Sequence, residues 1–212
     1  MILYSFFRSS ASWRVGAALA AKRLDYELAP RNFRKGEQRD PAYLALNPQG
    51  LVPALIDDGL VLTQSLAIIE YLDERHPAPR LLPEASGERA IVRAMAQTIA
   101  CDIHPIGNLR VLDYLRGNFG QDDAAVEAWY RHWVASGFAA IEIMAARHGD
   151  GRHCFGSALS LADLCLVPQM ANARRFGCDL SPYPLLMAID AHLAALEIFT
   201  TTSPQNQPDA VA

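Results

Sequence analysis

The sequence predicts an α/β domain over residues 1–76, a linker over 77–83 and an all-helical domain over 84–212. Three observations carry that prediction. Short apolar runs suited to strands lie in the first third of the chain, and every long stretch after residue 84 carries helical spacing. Between them His76-Pro77-Ala78-Pro79, with Pro83 a few residues on, reads as a stiff seam.

Ile2 to Phe6 is apolar and short, as a buried strand is, and Trp13, Ala17, Leu19, Ala20 and Leu24 then repeat at helical spacing from a start near Ser10 or Ser12. Tyr26 to Ala29 is a second strand candidate, which makes the opening a β-α-β unit with parallel strands. Asp40-Pro41 predicts an N-cap with proline in the first helical position, and the helix should run to about Leu46 before Asn47-Pro48 breaks it. Leu51 to Ile56 and Leu60 to Thr63 flank Asp57-Asp58-Gly59, a hairpin signal. Ser65 is expected to cap a helix from Leu66 to about Arg75. The order is therefore β-α-β-α-β-β-α. After the seam, residues 84–116, 123–148, 160–176 and 182–196 read as helices, with Ser160 and Asp163 spaced as a capping box. From Ser203 the chain has two prolines and little apolar content, so a loose tail is expected.

Composition excludes several classes. With 51% apolar and 20% charged residues, the chain can bury a core. The net charge of −4, its acid excess lying beyond residue 76, offers no basic face for nucleic acid. No run of about 18 uncharged apolar residues occurs, and no basic stretch followed by an apolar one opens the chain, so no membrane association is expected and the expected location is cytoplasmic. Cys101, Cys154, Cys165 and Cys178 are scattered without a CxxC pair, which argues for reduced thiols and against a metal site. Lysine occurs only at positions 22 and 35, so the cations are almost all guanidinium groups, suited to bidentate contact with carboxylates.

Four stretches could carry chemistry. At the strand-to-helix junction Arg8 stands beside Ser9, Ser10 and Ser12. Pro53 precedes an apolar strand and cannot donate to a ladder, so either a plain strand start or a tight turn, with a cis bond as one form of it, accounts for it. A cis bond would leave the Val52 backbone able to pair with an extended ligand. Gln64 and Ser65 lie at a helix start, where unpaired N–H groups favour a carboxylate, although capping alone explains Ser65. His104 and Asn108 are spaced to share a helix face, with Arg110 close by, and Pro105 directly after His104 suits a kink or a helix start there; a satisfied surface or core histidine is the competing reading. Adjacent Arg174 and Arg175 point to different faces. No nucleophile dyad, Gly-rich phosphate loop or HExxH, GxSxG or Walker pattern is present. A nucleophile would have to be borrowed.

In this order, "RSSASWRV", "ALNPQGLVPAL", "QSLAIIEYL", "LSLADLCLVPQMANARRF" and "DLSPYP" resemble the zeta class of the glutathione transferases, the family of maleylacetoacetate and maleylpyruvate isomerases, over nearly the whole chain. The resemblance implies the glutathione transferase fold: a thioredoxin-like first domain that binds glutathione, an all-α second domain and a homodimer. It assigns the Val52 backbone, before cis-Pro53, to the cysteinyl part of glutathione and Gln64 with Ser65 to its γ-glutamyl end. Gln49 and Gln38 go to the glycyl end, and His104 and Asn108 also line the glutathione site. Ser9 matches the hydroxyl that stabilises the thiolate, with Ser10 beside it. A free thiol has a pKa of about 8.5, and a hydroxyl donor at a helix N-terminus favours its anion. The implied reaction is cis-trans isomerisation of a small maleyl dicarboxylate by reversible thiol addition. Arg8 and Arg175 would serve the developing enolate and the substrate carboxylates, and Arg110 a distal carboxylate. Two positions depart from the family pattern, Ala11 where cysteine is usual and Gly16 where arginine is usual. Conjugation of small α-halo acids, or a non-catalytic glutathione-binding module, are the alternative readings.

Overall fold

A computed structural model describes residues 1–210, in two compact units. The first combines Met1–Leu82 with the segment from Ala195, and the second is Pro83–Ala194.

In the first unit β1 (Ile2–Ser5), α1 (Ser10–Ala21) and β2 (Glu27–Pro30) form the expected unit, with β1 and β2 parallel and Ile2 opposite Glu27. β2 is displaced by one residue from its expected place and takes in Pro30. It is an edge strand in the order β2-β1-β3-β4, and an edge tolerates a residue without an N–H. After α2 (Pro41–Leu46), β3 (Ala54–Asp57) runs antiparallel to β1 and pairs with β4 (Leu60–Thr63). The hairpin turns on Asp58 and Gly59, at φ 48° and 82°, the left-handed pair that a tight two-residue loop demands and that glycine adopts freely. α3 (Ser65–Arg75) closes the layer against α1. Val15, Ala17, Ala18 and Leu19 of α1 and Ile68, Ile69 and Leu72 of α3 are fully buried. That apolar seam fixes the directions of both helices, and so where each begins.

The seam at 77–82 belongs to this unit. Lys22 Nζ is buried and donates to Asp73 Oδ1 (2.8 Å), His76 O (2.7 Å) and Pro79 O (2.9 Å). Asp73 in turn accepts the Leu81 and Leu82 N–H groups at 2.8 and 3.2 Å. A buried ammonium and a buried carboxylate each have their polar capacity met, which tolerates their removal from water.

The C-terminal segment corrects an expectation. Beyond Ser203 the chain is held, because Asn206 Nδ2 donates to Thr200 O at 2.7 Å and Asp209 Oδ2 accepts the Phe7 N–H at 3.0 Å. Just before it α9 (Glu197–Thr200) buries Phe199 and packs on α1, and Trp13 Nε1 donates to Thr202 Oγ1 at 3.0 Å. A single aromatic residue and a few side-chain hydrogen bonds supply what the low apolar content did not suggest.

The second unit contains α4 (Ser86–Gln97), α5 (Leu109–Phe119), α6 (Asp123–His148), α7 (Leu161–Arg175) and α8 (Pro184–Leu193). The expected single helix over 84–116 is interrupted. A π-helical turn, Thr98–Ile103, follows α4, with the His104 N–H bonded to Ile99 O, and Pro105, lacking an N–H, then prevents a regular ladder. α7 is central: Leu161 to Met170 are buried without a break. Its start is held by Asp163, whose carboxylate accepts from Ser160 N and Oγ (both 2.8 Å) and Cys154 N (2.7 Å). Burial nonetheless pushes the Asp163 carboxyl upward.

Asp73→Ala is expected to lower the unfolding free energy by about 3–5 kcal/mol, because it strands a buried ammonium. Urea unfolding followed by circular dichroism measures this. Glu127→Ala, which breaks only an exposed pair with Arg131, should cost less than about 1 kcal/mol.

Candidate functional site

The starts of α1 and α3 dominate the candidate site in the first unit. Ser9 is the N-cap of α1 in extended conformation, and its Oγ accepts the Ser12 N–H at 3.1 Å. Because that oxygen is the acceptor, the hydroxyl hydrogen remains able to donate to an anion, and the helix dipole reinforces the preference. Ser10 is buried in the first turn, and Ala11 is half-buried and apolar. Arg8 is exposed, its guanidinium carbon 5.1 Å from the centre of the Phe7 ring.

At α3 the expected capping role of Ser65 is corrected. Gln64 occupies the cap position without a side-chain cap bond, and Ser65 is the first helical residue. Its side chain faces inward and accepts from buried Arg14 Nη1 at 3.4 Å, so it satisfies a core guanidinium rather than the helix end. The N-terminal N–H groups of α3 thus lack that cap. Gln64 has φ 69°, which costs a non-glycine residue about 1–3 kcal/mol and is found where function over-determines the backbone.

Gln49 joins this group directly, accepting from Gln64 Nε2 at 2.8 Å. The bond uses the Gln49 oxygen and leaves its NH₂ to donate. The Val52–Pro53 bond is cis, and Val52 precedes β3, so its N–H and C=O lie outside the sheet ladder. Leu51 O is held on the other side by Tyr43 Oη (2.5 Å) and Asn47 Nδ2 (2.7 Å). Gln38 presents a buried Oε1 that has no hydrogen-bond partner. An extended peptide with a carboxylate at each end fits this donor set: a strand-like backbone segment at Val52, amides at Gln49 and Gln38, and a helix N-terminus at Gln64 and Ser65. Arg14, Tyr43 and Asn47 escaped the sequence reading; Arg14 had a signal, a cation among apolar helical positions, whereas the other two gave none.

His104 and Asn108 do not share a helix. They bracket the turn between the π-helical segment and α5, Asn108 capping α5 through Oδ1 to the Arg110 N–H (3.1 Å), with its Nδ2 3.5 Å from His104 Nε2. Trp129 Nε1 donates to Ile106 O (3.1 Å) and steadies the turn. Gly107 meets the Tyr130 ring so closely that a Cβ would lie 2.6 Å from it. Arg110 is exposed in the first turn of α5.

The two adjacent arginines have separate tasks. Arg174 pairs with buried Asp190 at 2.5 Å, a structural contact. Arg175 is exposed, its guanidinium carbon 4.9 Å from the Phe176 ring centre, and Phe176 stacks on Tyr130 at 3.9 Å. Burial drives the Tyr130 hydroxyl up to about 12, so Tyr130 stays neutral under this cation. Burial also pushes the Cys154 thiol well up and the Cys178 thiol up, which makes both poor nucleophiles.

The glutathione S-transferase N-terminal domain family matches residues 1–74. The chain is 51% identical to a probable maleylacetoacetate isomerase of Vibrio cholerae, over 99% of this chain and 98% of that one. It is 48% identical to a maleylpyruvate isomerase of Ralstonia sp, over 99% of this chain and all of the other. A solved holo structure of a bacterial zeta-class maleylpyruvate isomerase superposes with a TM-score of 0.97 at 48% identity, covering both chains fully. A maleylacetoacetate isomerase of Anaeromyxobacter dehalogenans, solved with dicarboxyethyl glutathione and citrate in its active site, is 42% identical with a TM-score of 0.88, over 99% of this chain and 97% of that one. With this likeness along its whole length, the chain belongs to the zeta class of the glutathione transferases, the maleylacetoacetate and maleylpyruvate isomerase family.

Proposed function

We propose that the chain is a glutathione-dependent cis-trans isomerase of maleyl dicarboxylates, the products of aromatic ring cleavage, acting on maleylacetoacetate or maleylpyruvate. The observation that carries this reading is Ser9: its oxygen accepts the Ser12 N–H at the α1 N-terminus, which leaves the hydroxyl hydrogen available to donate to an anion. Glutathione, when bound, supplies a sulfur nucleophile that can add to the cis double bond and leave again after rotation. Ser9 holds that sulfur ionised near neutral pH, with Ser10 at the same helix start. Val52 supplies the strand-like pairing, Pro53 sets that backbone, and Gln64 with the Ser65 N–H takes the γ-glutamyl carboxylate. Gln49 and Gln38 serve the glycyl end, and His104 and Asn108 complete the set.

Arg8 and Arg175 are assigned to the substrate, where guanidinium groups neutralise its carboxylates and the charge that develops on its carbonyl oxygen. Arg110 is assigned to a distal carboxylate. Dicarboxylate chemistry is supported by the ligands of the Anaeromyxobacter relative, a dicarboxyethyl glutathione and citrate.

The working form is inferred to be a cytoplasmic homodimer. Leu109, Tyr114, Phe119 and Ile143 expose apolar side chains on the second unit, and a second copy would remove such surface from water. Sedimentation equilibrium should return twice the 23.3 kDa chain mass.

Ser9→Ala is expected to lose about 1 kcal/mol of stability by uncapping α1. It should also raise the ionisation midpoint of bound glutathione, read as thiolate absorbance against pH. Incubation with maleylpyruvate or maleylacetone should form the fumaryl isomer only when glutathione is present, and the ratio of the two kcat/KM values names the better substrate. In the same assay Arg175→Ala should lower kcat/KM by about a hundredfold, the scale for removing one transition-state charge donor. Its glutathione affinity should change little; equal losses in both would move Arg175 to the cofactor.

A further inference from the structure

We infer that Asp209 is a positioning residue for the glutathione sulfur site, acting through the backbone of the loop that carries Arg8 and Ser9. Between β1 and α1, residues 6–9 have little internal support: Ser9 N donates to Phe6 O (2.8 Å) and closes the turn. The Phe7 N–H instead donates to Asp209 Oδ2 at 3.0 Å, from a residue 202 positions away in sequence. A carboxylate acceptor makes this a charge-assisted bond, stronger than an ordinary amide contact. It grips the backbone one residue before Arg8 and two before Ser9.

The segment that delivers Asp209 is itself held. Phe199 is fully buried and edge-on to Trp13, and Trp13 Nε1 binds Thr202 Oγ1 at 3.0 Å. Asn206 Nδ2 donates to Thr200 O (2.7 Å), and Ala210 N to Gln207 O (3.0 Å). Gly16 gains a role here. A Cβ built on it would stand 3.6 Å from Thr202, in ordinary contact, so a methyl fits and a long side chain would displace the segment. A small residue at this α1 position therefore lets residues 199–202 lie against the helix.

If the loop is free to shift, the Ser9 hydroxyl spends less time aimed at the sulfur, and the thiol's midpoint rises toward its value in water. The test uses full-length Asp209→Ala and Asp209→Asn beside the native chain. It reads hydrogen exchange of the Phe7 amide by NMR, the ionisation midpoint of bound glutathione by thiolate absorbance, and glutathione affinity by calorimetry. Asp209→Ala should speed Phe7 exchange, raise the midpoint and weaken glutathione roughly three- to tenfold, the factor one hydrogen bond is worth. Asp209→Asn, whose side-chain carbonyl can accept the same bond, should restore all three toward native values.

Removing a nearby negative charge would by itself lower the midpoint in both variants, so a fall in both overturns the inference. Unchanged Phe7 exchange in Asp209→Ala overturns it as well. Should Asp209→Ala not fold, Thr202→Val loosens the same segment at Trp13; a raised midpoint then supports the inference and an unmoved one defeats it. The inference rests on Ser9 being the group beside the sulfur. A native chain that binds glutathione without lowering its midpoint below about 8.5 would remove that reading, while Phe7 exchange would still decide whether Asp209 holds the loop.

Discussion

Every α-helix begins with amide hydrogens that find no partner inside it, and the first unit turns on how two such helix starts are satisfied. At α1 the Ser9 oxygen satisfies one of them and keeps its own hydrogen to give away. At α3 the hydroxyl that could have capped the helix is drawn inward by Arg14, and Gln64 adopts a strained backbone at the cap. One helix start is therefore half satisfied and the other deliberately unsatisfied. Both starts can donate to an anionic, peptide-like ligand, as the proposed function requires. The apolar seam between α1 and α3 matters to function because it fixes where those two starts lie.

Several buried charges in this chain are met by more than one partner, although buried Asp190 has only Arg174 among the described residues and leaves its Oδ1 without a hydrogen bond. Lys22 has three acceptors, and Asp73 has Lys22 and two amide donors. Asp163 accepts three hydrogen bonds, although burial still outweighs them and lifts its carboxyl above the usual range. Arg8, Arg110 and Arg175 are exposed. Under the proposed function these three are assigned to the acidic substrate, whereas Lys22 and Arg174 hold the fold. Neighbours in sequence differ accordingly: Arg174 is spent on Asp190, while one residue on Arg175 lies over an aromatic ring beside a tyrosine kept neutral by burial.

What could be read from the sequence was whatever a local rule dictates. Asp58-Gly59 announces a left-handed turn, Ser160 with Asp163 a helix start, Asp40-Pro41 another, and each stands where its chemistry puts it. The parallel pairing of the first two strands followed from the β-α-β pattern. The errors fell where a distant group overrides the local rule. Ser65 looks like a cap because serine at a helix start usually is one; the buried guanidinium of Arg14, 51 positions away, claims it. His104 and Asn108 look like helical neighbours until a π-helical turn and Pro105 intervene. The C-terminal segment looks loose because its apolar content is low, yet Phe199, Thr202 and Asp209 meet α1 and its preceding loop at three points. Those contacts have no periodicity and no motif, so nothing short of the folded chain shows them.

Ala11 bears on how much of the site the chemistry requires. The family pattern has a cysteine there, and a second sulfur beside the cofactor's would add both a weak hydrogen-bond partner and a group that can be oxidised. In this chain the position is a methyl group on the first turn of α1, which leaves the backbone amides and the Ser9 hydroxyl untouched. Of the chain's own cysteines, Cys154 and Cys165 are buried, burial raises the thiols of Cys154 and Cys178, and exposed Cys101 lies in the π-helical turn of the second unit. Under the proposed function the thiolate is that of glutathione, and the hydroxyl and helix terminus assigned to it do not involve residue 11. A site built this way gives up one polarizable contact and gains resistance to oxidation, because no protein thiol at that turn is left to react.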